Sequence, residues 1–286
     1  TKNVLMGHLT GDNMTTGSNS TFVGYEAGGA VTTGLSNTLI GASAGDALTD
    51  ADNNVAIGIG ALGADTLGSR SIAIGENVLA NQNFTTATLS YNTVVGSAAG
   101  YAVTTGTLNT FVGGLAGDAN TTASGNTALG YTSLGSNTTG ANNAAGGGYS
   151  LANNTTGANN TAFGYFAAIS TTTGSDNTAF GKSALQNNTT GYSNVALGGG
   201  TSFGAAAMTS NTTGFGNVAV GSLSLSTNTT GSSNVAVGRQ ALYVSSTASN
   251  NVAVGQAAGA LVTTGSQNVF IGMNAGDALT TGSNCI

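Results

Sequence analysis

The segment Asn217–Ser233 reads NVAVGSLSLSTNTTGSS, and Asn234–Gly238 then reads NVAVG again. The glycine that closes this phrase recurs along the whole chain. It stands at Gly7, Gly24, Gly41, Gly58 and Gly75, at Gly96, Gly113, Gly130, Gly147, Gly164, Gly181 and Gly198, and at Gly221, Gly238, Gly255 and Gly272. Every step is 17 residues except 21 from Gly75 to Gly96 and 23 from Gly198 to Gly221, giving 16 copies. A fixed short period outranks chain length as a guide to domain count. The sequence, 1–286, reads as a single repeat array.

Numbered from its Asn, the repeat has Asn at position 1 in 14 copies, with Ser20 and Ser71 in the other two. Position 2 is Val, Thr or Ile except at Ala144, position 3 is always apolar, and position 4 is a larger apolar residue except at Gly146. A short β-branched run closed by Gly predicts a strand. The abundance of Gly, Thr and Asn and the absence of a 3.6-residue period exclude a helix. Seventeen residues are too few for a strand–helix unit but suit one coil of a solenoid, each strand pairing in parallel with those of adjacent coils about 4.8 Å away. The expected fold is therefore all-β, a parallel β-solenoid of about 16 coils, forming a rod roughly 75 Å long. Positions 8 and 9, as in Ala184-Leu185, predict a second short strand or a bend. Thr-Thr-Gly, intact 11 times, predicts a turn whose Gly takes positive φ. The position-1 amides are expected to stack as a ladder.

Successive strand residues face opposite ways, so position 3 opposes positions 2 and 4. Apolar character on both faces predicts burial on both. One face lines the solenoid interior. The other, assigned to position 3, is expected to meet a neighbouring chain through Phe22, Phe111, Ala179, Ala236 and Phe270; an exposed alanine stripe is the competing expectation.

The phrases NVAVG, SIAIG (Ser71–Gly75) and NTAFG, followed by Ala-Leu and a Gly turn, resemble the head repeats of YadA-like trimeric autotransporter adhesins. They are also similar to repeats of phage tail-fibre proteins and of secreted proteins with a C-terminal intramolecular chaperone. The resemblance runs from Asn3 to about Gly282. It implies a left-handed β-roll, lateral association of three chains, a place outside the cell on a cell surface or virion, and a role in attachment.

Composition excludes several function classes. There are 4 basic and 10 acidic residues, so no basic stripe is available to neutralise phosphates, and nucleic acid is not an expected partner. No apolar run approaches a membrane span, so membrane insertion is not expected either. His8, the one histidine, lacks a Ser or Cys partner at a telling spacing, so no catalytic residue, enzyme activity or cofactor is expected. Asp46, Asp50 and Asp52, with Asp65 one turn on, are the weak candidates for a Ca²⁺ site, although no EF-hand or GGxGxD pattern is present. Asp12, Asp118 and Asp277 read as solvating residues. Cys285, the single cysteine, reads as a small buried hydrophobe or, second, an interchain disulfide.

The two long steps mark insertions, one near 80–90 with Phe84 and one at 199–204 with Phe203. Insertions in solenoids form surface loops that carry recognition, so Phe84 and Phe203 are the recognition candidates. The function expected is a non-enzymatic extracellular fibre or filamentous appendage, self-associating laterally and stacking end to end. An adhesin head or phage fibre segment that binds a cell surface or glycan is the alternative. Ice binding by a threonine ladder ranks third, because adjacent threonines give each face only one rank.

Overall fold

The computed structural model describes residues 2–200 and 206–286. The described chain is all β and turn, with no α-helix, and it divides into two compact units, Thr1–Asn142 and Asn143–Ile286. Each is a parallel β-solenoid carrying eight three-residue strands, one per coil, from Val4–Met6 to Thr127–Leu129 in the first and from Ala144–Gly146 to Val269–Ile271 in the second. Pairing is in register by position: Phe22 lies opposite Leu39, Ala162 opposite Ala179, and Phe163 opposite Phe180.

Backbone hydrogen bonds run between coils all around the section. The N–H of position 2 donates to the carbonyl of the next coil's position 1, as Thr178 does to Asn194 at 2.8 Å. At position 13 the same pattern continues, Thr172 N–H donating to Thr189 O at 2.9 Å, and its hydroxyl donates to that carbonyl as well at 3.1 Å. The strand ends at position 5 because the backbone there takes a conformation only glycine holds at low cost. Gly41 has φ +134°, and a Cβ on it would lie 2.5 Å from Gly58 O of the next coil.

The interior belongs to position 3, together with positions 8 and 9. Phe22, Phe111, Ala179 and Ala236 are completely buried within a single chain, and Phe270 is nearly so. This overturns the assignment of position 3 to a neighbouring chain. A three-residue strand places one side chain inward and two outward, and the inward one is position 3. Positions 2 and 4 form the outer face, half-exposed to exposed at every copy but the buried Gly146.

Two local expectations also change. Positions 8 and 9 form no second strand. They lie in a tight turn with both side chains inward, and position 9 is left-handed, as Leu185 (φ 55°) and Leu242 (φ 51°) show. The Thr-Thr-Gly glycine is not in the left-handed region. Its role is space, since a Cβ on Gly34 would lie 2.5 Å from Ala51 O. The positive φ falls two residues later, at position 17, where Asn and Ser tolerate it, as at Asn250 (φ 60°).

Candidate functional surfaces

The most regular feature is internal. Each position-1 Asn donates its amide to the position-15 carbonyl of its own coil and accepts the backbone N–H of the next position 1. Asn177 Nδ2 reaches Gly191 O at 2.9 Å, and Asn177 Oδ1 receives Asn194 N–H at 3.1 Å. The same ladder links Asn194, Asn217, Asn234, Asn251 and Asn268. Cys285 stands at the next position 1, half-buried, its N–H accepted by Asn268 Oδ1 at 3.0 Å. A second buried amide ladder, not anticipated from the sequence, runs at position 12 through Asn188, Asn211 and Asn228. Buried polar groups are costly unless paired, and these amides pair with backbone and with one another.

The outer face of each strand column consists of positions 2 and 4. No charged residue occupies either position in any copy. Position 2 presents Thr, Val or Ile except at Ala144, and position 4 Val, Ile, Leu, Phe or Met except at Gly146, with Phe163 and Phe180 stacked at 5.3 Å between ring centroids and 9° between planes.

The acidic candidates do not converge. Asp50 accepts hydrogen bonds from the hydroxyls of Thr33 (2.6 Å) and Thr32 (2.8 Å), which hold its carboxyl below the usual range. Asp52 accepts the Leu35 N–H at 2.7 Å. Asp46 lies on another part of the coil, beside Glu26, Asp12 and Gly29, and burial followed by the Glu26 charge raises its pKa. Among the described residues no group of three His, Cys, Asp or Glu side chains is placed to hold a metal ion. His8 stacks on Tyr25, with 5.8 Å between centroids and 4° between planes.

The first insertion is built differently from its sequence reading. Phe84 is buried, its ring set against Gly68, and so cannot serve as a recognition residue. It helps close a polar node that replaces the ladder where Ser71 stands in for Asn. Asp65 Oδ1 accepts Gly68 N–H (3.1 Å) and Phe84 N–H (3.0 Å), and Oδ2 accepts Gln82 Nε2 (2.7 Å). Gln82 in turn bonds Ser71 and Asn92, and Ser71 bonds Ser90. Burial is the largest influence on Asp65 and raises its pKa, against the lowering effect of these donors. The large apolar side chains exposed at the insertion are Leu89 and Tyr91, beside the exposed polar residues Asn83, Thr85 and Thr86. Phe203, at the second insertion, lies outside the described residues.

In comparisons with known proteins, no family model, no curated protein and no solved structure matches the chain. No helix among the described residues is long and apolar enough to cross a membrane.

Proposed function

We propose that the chain is a non-enzymatic structural module, a segment of an extracellular fibre or filamentous surface appendage on a cell or virion. The observation that carries the proposal is the in-register amide ladder inside a closed hydrogen-bonded coil. Opening any coil uncovers two rows of backbone groups and at least one buried amide, so local unfolding is costly along the whole ladder. The extracellular location rests on the resemblance of the repeat alone.

Lateral self-association belongs to this reading, but through positions 2 and 4. The occupant proposed for that face is the same face of a second copy, with three chains as the arrangement the repeat resemblance implies. Fifteen or sixteen outward side chains per unit, at a few tens of Å² each, offer roughly 800 Å², one side of a standard interface. A face without charges has no ion to desolvate against a like surface. The test is sedimentation and electron microscopy of the intact chain beside Val220→Asp/Val237→Asp. The parent should sediment as an oligomer and the variant as a monomer that keeps the parent's β-rich circular dichroism. A parent that stays monomeric at high concentration sinks the lateral assembly.

The second reading, a recognition module for a cell surface or glycan, is favoured by one observation: exposed aromatic and aliphatic side chains gather at the first insertion.

A further inference from the structure

Position 17 is the outward, left-handed corner of the coil, and nearly every copy fills it with Asn, Ser, Asp, Gln or Gly. Three successive coils depart from this, at Arg70, Tyr91 and Leu108, with φ of 64°, 50° and 59°. A bulky side chain at such φ carries a conformational cost on the order of 1 kcal/mol. Inside the solenoid, the left-handed leucines of position 9 offset that cost by burial. Burial does not offset it here: Leu108 is 60% exposed, Tyr91 47%, and the adjoining Leu89 54%. Leu89 joins the patch because it pairs with Ser69, which points outward beside Arg70.

The patch has a definite chemistry. The Arg70 guanidinium lies over the Tyr91 ring, its Cζ 5.7 Å from the centroid. A stacked guanidinium uses its face and keeps its N–H fork free in the plane for a planar anion. No carboxylate pairs with Arg70 among the described residues, and in this acidic first unit the only other basic residue is Lys2. The neighbouring corner positions carry Asn53, Ser69 and Thr107, amide and hydroxyl groups that suit a polar rim, and also Asp52, whose carbonyl accepts the Arg70 N–H at 3.0 Å and whose carboxylate is held by the Leu35 N–H at 2.7 Å. Four such side chains cover at most a few hundred Å², well short of the roughly 800 Å² per partner of a protein interface.

We propose that this patch binds a carboxylated saccharide, the carboxylate on Arg70 and the apolar face of a sugar ring on Tyr91, Leu89 and Leu108. A sugar acid matches the three features of the patch: its carboxylate meets the single cation, its apolar C–H faces meet the ring and the leucines, and its hydroxyls meet the polar rim. This site is independent of the fibre proposal, because its residues lie outside positions 2 and 4.

The test is titration calorimetry of the full chain with oligogalacturonate, against neutral glucose oligomers of the same length. The parent should bind the acidic oligomer at millimolar affinity or better, and at least about tenfold more tightly than the neutral one. Arg70→Asn, Tyr91→Asn and Leu108→Asn place a residue suited to this corner and relieve its strain. Each should weaken binding about tenfold while melting at or above the parent temperature. Absence of acidic-oligomer binding at millimolar concentration, or equal binding of both oligomers, overturns the proposal. Variants that melt several degrees lower would assign these residues to the fold and overturn it as well.

Discussion

The Phe270 ring closes over Gly259 of the preceding coil: a Cβ on Gly259 would lie 2.7 Å from Phe270 Cδ2. The other two position-3 phenylalanines have the same neighbours. Phe22 meets Gly11 and Gly28, and Phe111 meets Gly100 and Gly117. A position-3 Phe therefore requires glycine at position 9 of both its own and the preceding coil, whereas a position-3 Ala leaves room for Leu. Gly259→Leu alone should overpack the interior and destabilise by about 1–3 kcal/mol, and Phe270→Ala alone should leave a cavity costing about 3 kcal/mol or more. The double variant should recover at least about 1 kcal/mol relative to the sum, because its Ala253 and new leucine reproduce the Ala236 and Leu242 pair. Additive losses in urea unfolding would show that the two sites do not share one space.

This coupling was legible in the sequence and is the signal that position 3 points inward. Leu5, Phe22, Leu39, Val94, Phe111 and Phe270 are each followed six residues later by Gly, while Ala56, Ala128, Ala179 and Ala236 are followed by Leu. Volume exchange at a fixed offset means that two positions pack together inside. The repeat itself dictated the all-β coil, the 17-residue register and the position-1 ladder. The direction of the strand face was misread because an apolar pattern of three residues is symmetric about its centre. Phe84 was misread because an insertion does not reveal which of its residues closes the core. The position-17 patch was detectable as a departure from consensus, but only the positive φ at that corner gives the departure an energetic meaning.

Asn177→Ala removes the acceptor of Asn194 N–H, one of two acceptors of Asn194 Nδ2, and one of two donors to Gly191 O. Buried groups left unpaired should cost about 2–4 kcal/mol in total. Thr190→Ala, one residue from the same Gly191 but on the outer surface, should stay within about 0.5 kcal/mol. Denaturant unfolding of the two variants separates ladder from surface; equal, small effects would deny the ladder its role.

The position-12 ladder stops at Asn228, whose Oδ1 has no donor, because Ser245 follows where another Asn would stand. Ser245→Asn should extend it, the new amide donating to Asn228 Oδ1 and to Ala248 O. Asn120, which donates to Ala123 O at 3.0 Å, shows that Ala at position 15 accommodates the pair. The expected gain is about 1 kcal/mol, read as a higher denaturation midpoint with unchanged slope. A lower midpoint would mean that the larger amide does not fit beside Val262.

Asp65 sets the pH dependence of the first insertion. Burial raises its pKa in the folded chain above the ordinary value of 3.8, so the folded state holds the proton more tightly than the unfolded state. Its contribution to stability is thus fully present below pH 3.8 and is lost as pH rises through the folded value. Asp46 and Asp118, raised by the same cause, add to this slope. Unfolding free energy should therefore fall as pH rises from about 4 toward neutrality, and Asp65→Asn should flatten that fall. The asparagine keeps an acceptor for Gly68 and Phe84 but turns its Nδ2 toward Gln82 Nε2, a donor facing a donor. Its stability at a single pH therefore mixes charge relief with a lost hydrogen bond, whereas the slope isolates the titration. Equal slopes in the parent and Asp65→Asn, measured by urea unfolding from pH 4 to 7, would show that this carboxyl ionises as freely in the fold as outside it.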